Sequence, residues 1–191
     1  MPPLKWSFED KYEFRIVDLF EEVPYLALVT SILGKEPPIN DLLSPDEIQL
    51  AGALKARNKA PFYLRIGVFL DNALIACTYG WQSKDEVFYM AISLVHPDHR
   101  RIGIYSELVR AVVSISKNEG FQQIESHHKA TNNPVIIAKL KAGFCINGLE
   151  LSDKMGVLVR LSYFHNSTRR KLLDARSGLT RPEDKVRDLF F

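Results

Sequence analysis

The segment from Glu86 to Tyr105 constrains the fold more than any other. Between Glu86 and Val95 (EVFYMAISLV) apolar residues fill both alternating sets of positions. A strand of that kind is covered on both faces, which predicts a central place in a sheet. The strand stops at His96-Pro97. A helix follows, predicted over Ile102 to Lys117, with Ile104, Leu108, Ala111, Val112 and Ile115 at helical spacing. One mixed sheet with helices on both faces accommodates this pairing of a doubly covered strand and an amphipathic helix.

The remaining segments extend the pattern. Tyr12 to Leu19 reads as a first strand and Glu22 to Leu33 as a helix stopped at Gly34. Ser44-Pro45-Asp46-Glu47 is a helix start with a cap, a proline at the first position and a capping box. Phe62 to Leu70 and Ala73 to Trp81 read as strands, and Asp71-Asn72 between them predicts a two-residue hairpin turn. Phe121 to His128 is a strand. Asn133-Pro134 opens a helix, with Asn133 as cap, and Gly143 closes it. Phe144 to Leu151 and Met155 to Phe164 are the last strands. The expected domain is residues 1–164, followed by a C-terminal extension, 165–191, that is helical or partly disordered.

Composition removes several classes. The chain has 191 residues, 46% hydrophobic and 25% charged, which excludes disordered, collagen-like and low-complexity proteins. Its 25 basic and 23 acidic residues leave a net charge of +2, too little for a bulk electrostatic grip on nucleic acid. The short cluster Arg169-Arg170-Lys171 reads as a solvated helix face, so no nucleic-acid partner is expected. Cys77 and Cys145 sit far apart in apolar surroundings without metal-ligand spacing, as core residues of a reducing compartment do. No stretch reaches the roughly 18 apolar residues of a membrane span, and Met1 to Trp6 lacks a signal-peptide core. A cytoplasmic location with no membrane partner is the expectation. Leu189-Phe190-Phe191 is expected to dock on the domain or on a second subunit, which makes a homodimer one outcome.

The chemistry concentrates at Val95-His96-Pro97-Asp98-His99-Arg100-Arg101-Ile102-Gly103-Ile104-Tyr105. N–H groups at a helix N-terminus lack intrahelical partners and, with the helix dipole, form an anion site suited to a pyrophosphate. Gly103 allows close approach to the backbone, and Arg100 and Arg101 add positive charge. A solvated basic turn with a packing glycine is the alternative reading of the same residues.

This stretch resembles motif A of the GNAT superfamily of acyl-CoA-dependent N-acyltransferases, Arg/Gln-x-x-Gly-x-Gly/Ala after a V-x-P strand end. Here it is Val95-His96-Pro97, then Arg100-Arg101-Ile102-Gly103-Ile104-Tyr105, with Tyr105 where the family usually has Gly or Ala. Asn132 to Phe144 (NNPVIIAKLKAGF) is similar to motif B, an Asn opening a helix that ends in Gly-Phe. Four residues before that Gly the family often has a Tyr that protonates the coenzyme thiolate; here the position is Lys139. The resemblance spans roughly Phe14 to Phe164. It implies an α/β (α+β) GNAT-like fold: a twisted, splayed mixed sheet of about seven strands flanked by about four helices.

The resemblance further implies acetyl-CoA as cofactor and transfer of its acyl group to a primary amine, on a small molecule or a peptide. Backbone groups near Ser93, Leu94 and Val95 would meet the pantetheine arm, which would enter where the Glu86–Val95 and Phe121–His128 strands diverge. Arg100, Arg101, Ile102, Gly103, Ile104 and Tyr105 would hold the pyrophosphate, and Asn132 takes the motif B position. Direct transfer needs a base for the acceptor ammonium, oxyanion donors and an acid for the thiolate. Glu86, Glu125, His127 and His128 are the candidate bases, with Glu125 preferred on the strand of the gap. Lys139 and Tyr105 are the candidate acids; Lys139 would need a lowered pKa. No metal is expected, because His127 and His128 are adjacent on a strand and face opposite sides. An acyl-enzyme through Cys145 has no supporting motif. The second reading is a non-catalytic acyl-CoA-binding or regulatory module, motivated by Tyr105 and Lys139.

Overall fold

The structure, a computed structural model, describes residues 4–33, 61–84 and 86–181. The helix expected from Ser44 and the Leu189-Phe190-Phe191 terminus lie outside the described residues. The elements are β1 (Lys5–Phe8), β2 (Tyr12–Ile16), α1 (Glu22–Leu33), β3 (Tyr63–Leu70), β4 (Ala73–Lys84), β5 (Val87–Val95), α2 (Ile104–Asn118), β6 (Gln123–Lys129), α3 (Asn133–Lys141), β7 (Cys145–Ser152), β8 (Gly156–Phe164) and α4 (Ser167–Arg176). Among the described residues they form a mixed α/β fold of eight strands, in the order β1-β2-β3-β4-β5-β6-β8-β7.

The chain divides into two compact units. Residues 1–83 and 89–111 make the first; residues 84–88 and 112–191 make the second. In the first unit β1, β2, β3 and β4 pair antiparallel in sequence order. The Asp71-Asn72 turn is the expected tight hairpin, both residues adopting positive φ (48° and 63°). Strand β1 is one more than the sequence predicts. Four residues are too few to show a period, but Glu9 and Asp10, at φ 50° and 56°, fold Lys5–Phe8 back onto β2. Trp6 then stacks on Phe14, with ring centroids 5.2 Å apart. Phe14, Ile66, Val68, Ala76 and Cys77 are fully buried. Helix α1 buries Leu28 against Cys77 and Leu94.

Helix α2 runs through both units, and its buried residues Ile104, Leu108, Val109, Val112 and Ile115 form one stripe. In the second unit β8 lies between β6 and β7, antiparallel to both. Ile124, Ser126 and Leu161 are buried on one side of these strands. Glu125 opposes Ser162 and His127 opposes Arg160 on the other side. The register shifts between Ile146 and Gly148 on β7, which gives Asn147 an unpaired place in the ladder. The α3 cap falls one residue earlier than the sequence predicts. Asn132 is the cap, Asn133 the first helical residue, and the Asn132 side chain makes no capping hydrogen bond. Within the C-terminal extension α4 is helical; Asn166 caps it, accepting from the N–H groups of Thr168 and Arg169 at 2.9 and 3.0 Å.

Candidate active site

In the first unit the end of β5 passes through one turn of 3-10 helix, Pro97–His99, before α2 begins. Arg101 and Gly103 both have positive φ, 65° and 96°. A Cβ on Gly103 would lie 3.0 Å from the Phe8 ring, so packing and backbone conformation both require glycine there. The Gly103 carbonyl accepts the first bond of α2, from the Glu107 N–H at 3.0 Å. Among the described residues the N–H groups of Arg101, Ile102 and Gly103 have no acceptor. Those donors, with the dipole of a 15-residue helix behind them, form an anion cradle.

Arg100 has a task that its sequence position does not reveal. Its Nε donates to the Val95 carbonyl at 3.0 Å, tying the strand end to the turn. The histidines of this turn serve structure. His96 Nδ1 accepts from the Asp98 N–H at 3.4 Å, and His99 meets the Tyr12 hydroxyl at 3.4 Å. Tyr105 occupies the first turn of α2. Its hydroxyl is buried without a hydrogen-bond partner among the described residues, and burial raises its pKa. Thr78 on β4 donates to the Ile92 carbonyl at 3.0 Å and meets Ser93 Oγ at 2.8 Å. Trp81 packs on Tyr79 and Tyr89, ring centroids 5.3 and 5.0 Å away.

In the second unit Lys139 is completely buried. Its ammonium nitrogen lies 4.2 Å from the centre of the Phe144 ring. Desolvation lowers its pKa from 10.5 to about 7. His128 is also held neutral: burial, and then the Lys139 charge, bring its pKa down to about 3. His128 Nε2 and Ser126 Oγ are buried without hydrogen-bond partners among the described residues. Gly143 closes α3 at φ 93°, and the Phe144 ring packs tilted on Tyr163, centroids 5.4 Å apart.

The opposite side of the same strands is polar. Glu125 Oε1 accepts from Gln123 Nε2 at 2.9 Å and lies 3.9 Å from Arg160 Nη2. His127 Nδ1 is 3.3 Å from Glu150 Oε2, and burial lowers the pKa of His127. Gln123 Nε2 and Asn147 Nδ2 both donate to Ser162 Oγ, at 3.1 and 2.6 Å. Arg160 and Glu150 escape sequence reading as site residues. A lone arginine inside the apolar run Gly156–Phe164 is the signal that points to the first. Only the β7 register shift brings in Asn147.

The other candidates are engaged elsewhere. The Glu86 carboxylate pairs with Arg169 at 3.2 Å, and its carbonyl accepts the N–H groups of Gln122 and Gln123. Arg170 donates to the Gly143 carbonyl at 2.7 Å and pairs with Asp174 at 2.9 Å. The basic cluster on α4 therefore holds the second unit together. Cys145 donates to the Ser162 carbonyl at 3.4 Å, and burial raises its thiol pKa; Cys77 is pushed up to about 12. Neither cysteine offers a thiolate near neutral pH. Among the described residues no three His, Cys, Asp or Glu side chains gather to hold a metal ion, and no helix is long and apolar enough to cross a membrane.

No curated protein sequence matches the chain. Solved structures share the fold at low identity. An IAA acetyltransferase from Bacillus cereus ATCC 14579 is 15% identical with a TM-score of 0.58, over 80% of this chain and 99% of that one. A GNAT family acetyltransferase from Elizabethkingia anophelis with acetyl-CoA bound is 14% identical, with a TM-score of 0.56, over 82% and 99%. The NatC complex bound to Gag peptide and CoA gives 14% identity and a TM-score of 0.61, over 82% and 99%. The profile of the acetyltransferase (GNAT) family matches residues 26–144, which include the β5–α2 turn, Lys139 and Phe144. That match covers more than half of the sequence, and the chain belongs to the GNAT acetyltransferase family.

Proposed function

We propose that this chain transfers an acyl group from acetyl-CoA directly to a primary amine. The observation that carries the reading is the unpartnered N–H row of Arg101, Ile102 and Gly103 at the start of α2. These donors, with the Arg101 side chain beside them, fit a pyrophosphate. Bound acetyl-CoA and CoA in the Elizabethkingia anophelis and NatC structures support the same choice. When bound, acetyl-CoA supplies the acyl group as an activated thioester.

The protein's own residues divide the remaining work. In the first unit, the backbone of Leu94 and Val95 and the turn from Arg100 to Tyr105 bind and orient the coenzyme. In the second unit, Asn132 opens α3 with its side-chain amide uncommitted to the cap. Glu125 receives the proton of the acceptor ammonium, directly or through water. Lys139 is the acid. With a pKa of about 7 it would hold a proton that a thiolate, whose ordinary thiol pKa is about 8.5, would accept. Tyr105, whose pKa is raised, stays protonated and serves as a hydroxyl donor in the first turn of α2.

Thermal unfolding with acetyl-CoA, CoA and ATP tests the reading. Ligand at 100 times its Kd stabilises by about 2.7 kcal/mol, a Tm rise on the order of 5–10 °C for a chain of this size. The expected result is a rise with acetyl-CoA and CoA but not ATP, lost in Arg101→Glu. No rise at millimolar acetyl-CoA overturns the proposed function. A rise without turnover on any amine assigns the chain to the non-catalytic acyl-CoA-binding reading instead.

A further inference from the structure

The polar side of β6, β8 and β7 has a charge pattern that proton transfer by Glu125 does not require. One guanidinium, Arg160, stands with two carboxylates, Glu125 and Glu150, on the same side of three adjacent strands. Arg160 is half-buried, yet among the described residues it donates no hydrogen bond. Its 3.9 Å approach to Glu125 exceeds hydrogen-bond reach. Its Nε is buried without a partner among the same residues. A guanidinium carries five N–H donors in a rigid fork, and a buried donor of this kind calls for an acceptor. The carboxylates are partly engaged by comparison. Glu125 accepts from Gln123, and Glu150 lies beside His127, through one oxygen each. Each retains acceptor capacity for an ammonium.

We propose that this side of the second unit reads the acceptor as a zwitterion, Arg160 holding an anionic group and Glu125 the adjacent ammonium. The spacing sets the chemical class. A guanidinium and a carboxylate 3.9 Å apart match opposite charges that are near neighbours in the ligand. Free α-amino acids and phosphorylated amino alcohols have that arrangement. A simple alkylamine, a long diamine and a peptide N-terminus do not. Carboxylate and phosphate both suit the bidentate fork. Asn147 and Gln123 brace the platform by donating to Ser162. The inference rests on the proposed acyl transfer for its reaction, though not for ligand binding.

The test uses the full chain and two readouts. Binding is followed by thermal shift without coenzyme, and turnover by CoA release from acetyl-CoA. The probes are the free α-amino acids, O-phosphoethanolamine, and the matching anion-free amines, ethylamine among them. An anion-bearing acceptor should exceed its anion-free counterpart in kcat/KM on the order of 100-fold or more. Whether amino acids or O-phosphoethanolamine win identifies the anion. Arg160→Gln should cost about 100-fold in kcat/KM for the anion-bearing acceptor, mainly through KM, and far less for its anion-free amine. Arg160→Lys, which keeps the charge, should recover part of that loss. Equal losses on both acceptors, or a best acceptor without an anion, overturn the proposal. Arg160-dependent binding of an amino acid with no CoA release from any probe upholds the zwitterion site and rejects acyl transfer. Turnover without preference for an anion does the reverse.

Discussion

The amine of Lys139 lies 4.2 Å from the centre of the Phe144 ring, five residues further along the chain, with no solvent exposure. The aromatic face gives a cation some stabilisation. Burial outweighs it and sets the pKa at about 7. In the unfolded chain this amine titrates near 10.5, so between about pH 7 and 10.5 the unfolded state binds more protons than the folded one. Stability should therefore rise with pH through that window. Lys139→Met should flatten the rise and, at pH 7 and below, stabilise the fold by a few kcal/mol. Urea denaturation of both proteins at pH 6.5, 8 and 9.5 checks the sign.

The same group sets an expectation for the reaction. Lys139 can donate only as an ammonium, so kcat should fall as pH rises through about 7. Lys139→Met should lack this alkaline limb and retain a lower, flatter rate. A limb that persists in Lys139→Met belongs to another group.

His128 acts at lower pH. Its folded pKa of about 3 lies below the unfolded value of 6.5. The unfolded chain takes up this proton first, so stability is lost progressively as pH falls from about 6.5 towards 3. His128→Phe should reduce the slope of unfolding free energy over this range while keeping the side buried. Denaturation midpoints at pH 7, 5 and 4 measure it.

Gly103 and Arg101 separate packing from ligand binding in the β5–α2 turn. Gly103→Ala forces a side chain to φ 96° and against Phe8, and should destabilise by about 1–3 kcal/mol without coenzyme. Arg101→Glu leaves the backbone and Phe8 alone. It should keep the unliganded Tm and lose most of the shift with acetyl-CoA. Paired thermal scans, with and without coenzyme, distinguish the two.

Cys145 provides a test of direct transfer. With its thiol pKa raised and its Sγ–H donated to Ser162, it should carry no acyl group during turnover. Cys145→Ala should keep kcat within about threefold of the parent, a change of less than 1 kcal/mol. An acyl adduct on Cys145 in intact-protein mass spectrometry would contradict this.

Much of the fold was legible because the decisive segments carry strong periods. The doubly apolar β5, the stripe of α2 and the Asp71-Asn72 turn each follow from local sequence. Strand β1 was not, because its evidence is non-local: Trp6 and Phe8 become strand residues by packing on Phe14. The candidate site divides in the same way. Gly103 and Lys139 stand at positions that a motif register can find. The Lys139 pKa comes from burial in the folded chain, where Phe144 packs against the amine. Arg160, Glu150 and Asn147 belong together only through strand order and a register shift, and neither has a local signature.

Strand order also has a consequence for synthesis. Among the described residues of the second unit β8 is the last strand to leave the ribosome, yet it occupies the interior place between β6 and β7. Until it inserts, each of those strands has an open backbone edge facing it, and such edges invite pairing with other chains. Arg160 travels on the strand that closes both. A nascent chain thus gains its acceptor-reading arginine in the same event that removes its exposed edges, and protection from aggregation coincides with the completion of this surface.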